Sequence, residues 1–183
     1  MKYIIVIDMQ NDFISGSLAN KAAANIVSPM ADFLVSKQDD YHIVFTQDTH
    51  SDEDYLHTQE GKFLPIKHCI CGTFGCQVNS LLYTRLYFDR YDFVSKNTFG
   101  YIDWKKVLEK PEEIVLVGTC TDICVVSNAL ILKALYPEVP IKVIEDLCAG
   151  TTGKRHREAL DVMKSCQIEI WPLNPISMSL KGR

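Results

Sequence analysis

Short apolar runs rich in β-branched residues recur along the chain and are separated by stretches with helical periodicity. The runs lack polar alternation, and they predict strands at Tyr3–Ile7, His42–Thr46, Tyr91–Ser95, Ile114–Val117, Ile141–Ile144 and Ile168–Trp171. The intervening stretches predict helices at Ala22–Lys37, Ile102–Glu109, Cys124–Leu135 and Lys154–Cys166. Strands of this kind are buried on both faces of parallel sheets that helices cover. The pattern therefore predicts one three-layer α/β/α domain over residues 1–183, with about six parallel strands.

One segment, Gln47–Gln77, departs from this alternation because it is long and shows little periodicity. Long irregular segments within compact domains are usually functional loops. We therefore expect this loop to carry part of a functional site.

Composition narrows the class of protein without identifying it. The 183 residues are 47% hydrophobic and carry a formal net charge of −4, so no basic surface for nucleic acid or anionic lipid is expected. The apolar run near the N-terminus is too short for a membrane span or a signal peptide, which predicts a cytoplasmic protein. Seven cysteines, an odd number, argue for free thiols rather than for a disulfide framework.

Reactive side chains stand where three of the predicted strands end. Asp8 closes the first strand, Lys96 closes "YDFVSK", and Cys124 follows "EEIVLVG" after a tight turn, at the start of a predicted helix. In open parallel sheets, ligands bind at the carboxyl ends of the strands. The topology would therefore gather a carboxylate, an ammonium and a thiol on one rim.

Each of the three side chains also has an ordinary structural explanation, as a turn cap, a solvated strand end and a buried helix residue. Together they suit nucleophilic catalysis, because a helix N-terminus and a nearby cation favour a thiolate. A carboxylate can accept the thiol proton and return it to a leaving group. Cys120 lacks the position at the helix start, although its backbone N–H could help to bind an oxyanion. We therefore predict that Cys124 is the nucleophile.

The long loop contains a set of candidate metal ligands. Asp48 and His50 form an Asp-x-His pair directly after the second strand, and Glu60 and His68 follow. Such a set suits zinc, iron or manganese and leaves positions open for water and substrate. Several alternatives stay open: a plain polar loop, ligation by Glu53 or His57, or a closed structural zinc site made by His68, Cys69, Cys71 and Cys76.

With these residues placed, the sequence resembles the isochorismatase-like cysteine hydrolases, and among them the nicotinamidase-like members. The matching motifs are "IVIDMQNDF", "TQDTH", "KHC", "SKNTFG" and "GTCTDICV". The resemblance implies a six-stranded parallel sheet with flanking helices and a catalytic triad of Asp8, Lys96 and Cys124. It also implies a cis peptide near Thr119–Cys120 and an oxyanion hole formed by the backbone N–H groups of Cys120 and Cys124.

The same resemblance implies one divalent metal ion, taken as zinc with iron or manganese as alternatives. Its ligands would be Asp48, His50 and His68, with Glu60 as a further candidate, and Phe13 would form a wall of the substrate site. The expected reaction is hydrolysis of nicotinamide to nicotinate and ammonia through a thioester. Alternatives are an amidase for another small carboxamide or ureido compound, and a non-catalytic thiol- or metal-binding protein. The expected partner is a small amide, with no nucleic acid or membrane, and a homo-oligomer is left open.

Overall fold

The computed structural model describes residues 1–173, and within them six strands form one parallel sheet. Its order is β3-β2-β1-β4-β5-β6, and every neighbouring pair is parallel. The strands are β1 (Lys2–Ile7), β2 (His42–Asp48), β3 (Tyr91–Lys96), β4 (Glu113–Thr119), β5 (Ile141–Ala149) and β6 (Glu169–Trp171). The predicted six-stranded parallel sheet is confirmed.

Helices cover both faces of this sheet. They are α1 (Asn11–Ile14), α2 (Lys21–Lys37), α3 (Gln59–Phe63), α4 (Trp104–Val107), α5 (Val126–Leu135) and α6 (Gly153–Ser165). Alternate side chains of β1 enter two separate cores, because successive residues of a strand point to opposite faces. Ile5 packs in the core that α5 and α6 cover, and Ile4 packs in the core that α2 covers. The three-layer arrangement is therefore as expected.

Several details differ from the predicted elements. The segment Ile102–Glu109 forms a helix only over Trp104–Val107. Residues Thr121–Val125 form a π-helical turn, so Cys124 lies just before α5 rather than in its first turn. The edge strand β3 pairs on one side only and leaves Phe93 exposed, so it is not buried on both faces. The long loop also contains α3 and a 3₁₀ turn at Tyr55–His57.

Side-chain caps fix where the long helices start. The Asn20 carboxamide accepts the N–H groups of Ala22 and Ala23, and the Thr152 hydroxyl accepts that of Arg155. Asn20 also donates to the carbonyl of Gly150, which follows β5, and so ties the start of α2 to the carboxyl end of the sheet. Over residues 1–173, none of the helices combines the length and the apolar composition needed to cross a bilayer.

Candidate active site

The carboxyl end of the sheet brings together Asp8, Lys96 and Cys124. At this end β1 lies between β2 and β4. Lys96 Nζ lies 2.6 Å from Asp8 Oδ2 and 3.8 Å from Cys124 Sγ. All three residues are buried. Asp8 follows β1 in a left-handed conformation, with φ of 48°, which turns its side chain out of the strand pattern. The structure therefore brings the three residues together, while their catalytic roles stay a prediction.

The two oxygens of Asp8 have different surroundings. Oδ1 accepts a hydrogen bond of 2.6 Å from the Thr46 hydroxyl, which in turn accepts the Asp8 N–H. Oδ2 forms the ion pair with Lys96, but within residues 1–173 it accepts no aligned hydrogen bond. Oδ2 is therefore the oxygen with a lone pair left to accept the thiol proton.

Electrostatics favour the protonated form of the Cys124 thiol. Burial raises the pKa of Cys124 well above that of a free thiol, and the Asp8 carboxylate raises it further, against the opposing charge of Lys96. Burial also raises the pKa of Asp8, and Lys96 offsets only part of this. The pKa of Lys96 is raised, because the surrounding negative groups outweigh its own burial. In the unliganded site, burial and Asp8 therefore oppose the thiolate that Lys96 favours.

A second group of titratable residues lies beside the first. The ligand atoms of Asp48, His50, Glu60 and His68 all lie within 4.8 Å of one another. His50 Nε2 is 2.9 Å from Asp48 Oδ2, and His68 Nε2 is 3.5 Å from Glu60 Oε1. This is the group of four that the sequence predicted as metal ligands.

The alternative ligands do not join this group. Glu53 and His57 are exposed. Among residues 1–173, no cysteine belongs to a cluster with metal-ligand spacing, and Cys71 is exposed, so a closed structural zinc site is not formed.

The charges of the group fit a divalent cation. Burial raises the pKa of Asp48, but hydrogen bonds from His50 and His68 outweigh it and bring the pKa well below its usual value. Burial lowers the pKa of His68, but Asp48 and Glu60 outweigh this effect and raise it to about 10. Without a metal, an imidazolium therefore balances two carboxylates, where a bound cation would do so instead. Two carboxylates and two imidazoles, with no thiolate, are donors that suit zinc, iron or manganese.

Further side chains orient the candidate ligands, and sequence reasoning missed them. Gln10 is fully buried; its Oε1 accepts the Asp48 N–H and its Nε2 donates to the Asp48 carbonyl, both at 2.8 Å. The buried ring of Tyr55 packs against the rings of His50 and His68. His68 Nδ1 contacts the carbonyl of Ile66 at 2.9 Å, which turns Nε2 toward the carboxylates. The one sequence signal was a glutamine two residues after Asp8, close to the end of an apolar strand.

Cys124 of the first group and all four residues of the second line one cleft of about 1040 Å³. Lys96 joins the two groups, since its Nζ lies 3.8 Å from Asp48 Oδ1. Phe13 lines the cleft with its ring centroid 5.6 Å from that of His68, and Cys120 lines it beside the nucleophile. The peptide bond between Thr119 and Cys120 is cis, as the resemblance implied.

Comparison with known proteins places this arrangement in a family. The model of the isochorismatase domain matches residues 2–173. The chain belongs to the isochorismatase family. This family member is 27% identical to the nicotinamidase/pyrazinamidase of Mycobacterium tuberculosis, over 93% of this chain and 98% of that protein. It is 29% identical to the nicotinamidase of Saccharomyces cerevisiae, over 71% of this chain and 80% of that protein.

Solved structures share the fold of this isochorismatase-family protein. A pyrazinamidase/nicotinamidase from Streptococcus mutans superposes with a TM-score of 0.79 at 27% identity, over 93% of this chain and 99% of that one. The pyrazinamidase of Pyrococcus horikoshii, solved in complex with zinc, gives 0.78 at 24% identity, over 94% and 99%. For the Pyrococcus horikoshii protein, at 24% identity, the likeness concerns the fold alone.

Proposed function

We propose that this isochorismatase-family protein is a metal-dependent cysteine amidohydrolase that converts nicotinamide and water to nicotinate and ammonia. The observation that carries the proposal is that Cys124, from a buried Asp8–Lys96–Cys124 cluster, lines the same cleft as a group of four candidate metal ligands. The nicotinamidases among its relatives support the choice of an aromatic carboxamide as substrate.

In the proposed reaction, Asp8 removes the proton from the Cys124 thiol, and the sulfur attacks the carboxamide carbon. Asp8 then gives that proton to the departing nitrogen, so that ammonia leaves and a thioester remains. A water molecule next loses a proton to Asp8 and attacks the thioester carbon. The C–S bond then breaks as Asp8 returns its proton to the sulfur, which restores both groups, and the released acid loses its remaining proton to solvent to give nicotinate.

The surroundings of the triad suit this proton transfer. Burial raises the pKa of both Cys124 and Asp8, so the proton passes between two groups that share one dry site. The Lys96 ammonium touches both partners and stabilises whichever of them carries the negative charge. We assign the backbone N–H groups of Cys120 and Cys124 to the oxyanion that forms on the substrate.

Asp48, His50, Glu60 and His68 would hold the divalent ion, which we take to be zinc, with iron or manganese as alternatives. When bound, the ion would supply a ligand position for the pyridine nitrogen and so orient the ring. The aromatic ring of Phe13, beside His68, would form one wall of the ring site.

A second candidate substrate is a larger carboxamide or ureido compound. The observation that favours it is the volume of the cleft, about 1040 Å³. Sites for drug-sized ligands measure about 300–1,000 Å³, so a single-ring amide would leave much of this cleft unfilled. The same triad would serve either substrate.

The deciding experiment measures ammonia release from nicotinamide, from benzamide and from a panel of larger amides, with and without a chelator. We expect nicotinamide to be hydrolysed, and benzamide to react far more slowly because it lacks the ring nitrogen. A chelator should remove the nicotinamide activity. Faster turnover of a larger amide would favour the second candidate, and chelator-insensitive amide cleavage would contradict the metal role.

A further inference from the structure

Asp12 is a charged side chain in α1 to which the reaction assigns no role, yet it contacts the loop that carries a metal ligand. Its Oδ2 accepts a hydrogen bond of 2.7 Å from the backbone N–H of Cys69. Its Oδ1 accepts one of 3.2 Å from the N–H of Ser17, and its own N–H donates to the carbonyl of Gly75 at 3.0 Å. The Asp12 carboxylate therefore joins α1 to the loop that follows His68.

The N–H that Asp12 accepts belongs to the peptide group between His68 and Cys69. Cys69 has a φ of 47°, in the left-handed region that a non-glycine residue adopts only at a cost. The carbonyl of Cys69 accepts the backbone N–H of His50 at 3.0 Å, and the carbonyl of His50 accepts the backbone N–H of Cys71 at 2.9 Å. The backbone that Asp12 holds is thus the connection between the two histidines of the ligand group.

The surroundings of Asp12 leave room for this carboxylate and little else. A Cβ atom added at Gly75 would lie 2.3 Å from Asp12 Oδ2, and one at Gly16 would lie 2.3 Å from Oδ1. Both distances are far below van der Waals contact, so a side chain at either position would displace the carboxylate. Glycine at positions 16 and 75 therefore leaves the space that the Asp12 carboxylate occupies.

We propose that Asp12 is a positioning residue of the metal site. Its carboxylate fixes the His68–Cys69 peptide group and so holds His68 Nε2 against Asp48 and Glu60. This inference rests on the metal role proposed above. Loss of a group that orients a metal ligand typically lowers metal affinity about 10–100-fold.

The test compares the zinc dissociation constants of the full-length wild type, Asp12→Ala and Gly75→Ala, measured by competition with a chromophoric chelator. Both variants should bind zinc about 10–100-fold more weakly, one by removing the carboxylate and the other by displacing it. Asp52→Ala is the matched control, since Asp52 pairs with Lys67, the neighbour of His68, through an exposed contact of 2.7 Å. Its affinity should stay within about twofold of wild type, because exposed ion pairs contribute little.

Two measurements on the metal-free proteins separate positioning from a general loss of structure. We expect the unfolding midpoint and the rate at which iodoacetamide alkylates Cys124 to match wild type in both variants. Unchanged zinc affinity in Asp12→Ala would overturn the proposal, and so would weaker binding accompanied by a lower midpoint and altered alkylation. Absence of zinc binding in the wild type would instead refute the metal role itself.

Discussion

At Cys124, burial and the Asp8 carboxylate raise the pKa of the thiol, while the Lys96 ammonium opposes them. These directions favour a protonated sulfur in the unliganded site, and in the proposed reaction it becomes a thiolate only as the proton moves to Asp8. That reaction then depends on one sulfur among the seven of the chain.

Replacing Cys124 by alanine should abolish ammonia release, because the proposed thioester forms on this sulfur, which lies 3.8 Å from Lys96 Nζ. Nicotinamide binding, measured by calorimetry, should remain within about threefold of wild type, since the ligand group is untouched. The control is Cys166→Ala, which removes a thiol at the end of α6 and should retain full activity. Substantial turnover by Cys124→Ala, or a trapped acyl adduct found mainly on Cys120, would contradict the assignment.

At the level of secondary-structure elements, the close approach of β1 and β4 places Asp8 and Cys124 on one rim. Gly118 pairs with Ile7 and has a φ of 123°. A Cβ atom at this position would lie 2.1 Å from the carbonyl oxygen of Ile7. Any side chain there would push apart the strand ends that carry Asp8 and Cys120.

Gly118→Ala should therefore lower the free energy of unfolding by about 2–4 kcal/mol, from overpacking and from the unfavourable φ. It should also lower kcat, because the distance between Asp8 and Cys124 changes. Urea unfolding of the metal-free protein and steady-state kinetics measure the two effects. The control is Gly153→Ala, because the added Cβ atom would meet only the end of the Arg157 side chain, at 3.6 Å. It should lower neither the free energy of unfolding nor kcat. A Gly118→Ala protein as stable as wild type would disprove the close approach.

For the whole molecule, stability and metal binding are linked through His68. In the metal-free protein, Asp48 and Glu60 overcome the effect of burial and raise the pKa of His68 from 6.5 to about 10. A raised pKa contributes stability that is fully present below the unfolded-state value and is lost as pH rises through the folded value. A metal ion requires the neutral imidazole, so its binding at pH 7 must release this proton.

We therefore expect the metal-free protein to lose stability between pH 7 and 10, while the zinc-loaded protein does not lose this contribution. Urea unfolding across that range measures the slope, and proton release on zinc addition at pH 7 measures the linkage directly. His68→Gln is the control, because it removes the titrating group and should flatten the difference between the two forms. Equal slopes for both forms of the wild type would contradict the linkage.

Some expectations for the whole chain stay predictions. These are a single domain over residues 1–183, a cytoplasmic location, no interaction with nucleic acid or membrane, and a homo-oligomer as one option. The family match over residues 2–173 is compatible with the first of them.

The sequence by itself determined the sheet and the residues on its rim. Buried parallel strands need continuous apolar runs, and their carboxyl ends share one edge, so Asp8 and Lys96 could be placed before the fold was known. The resemblance named the same four candidate ligands that the structure gathers. Element ends were less predictable, because capping and edge exposure, as at β3, depend on neighbours distant in the chain.

Only the tertiary structure decided the surroundings of the Cys124 thiol and the contacts of Thr46, Gln10 and Asp12 with the site. Each of those three acts through a hydrogen bond to a residue far away in sequence, Asp8, Asp48 and Cys69 respectively. Their residue types are ordinary, and no local pattern marks their partners. Burial raises the pKa of this thiol against the effect of a nearby cation, and the extent of burial is a property of the packed fold rather than of any segment.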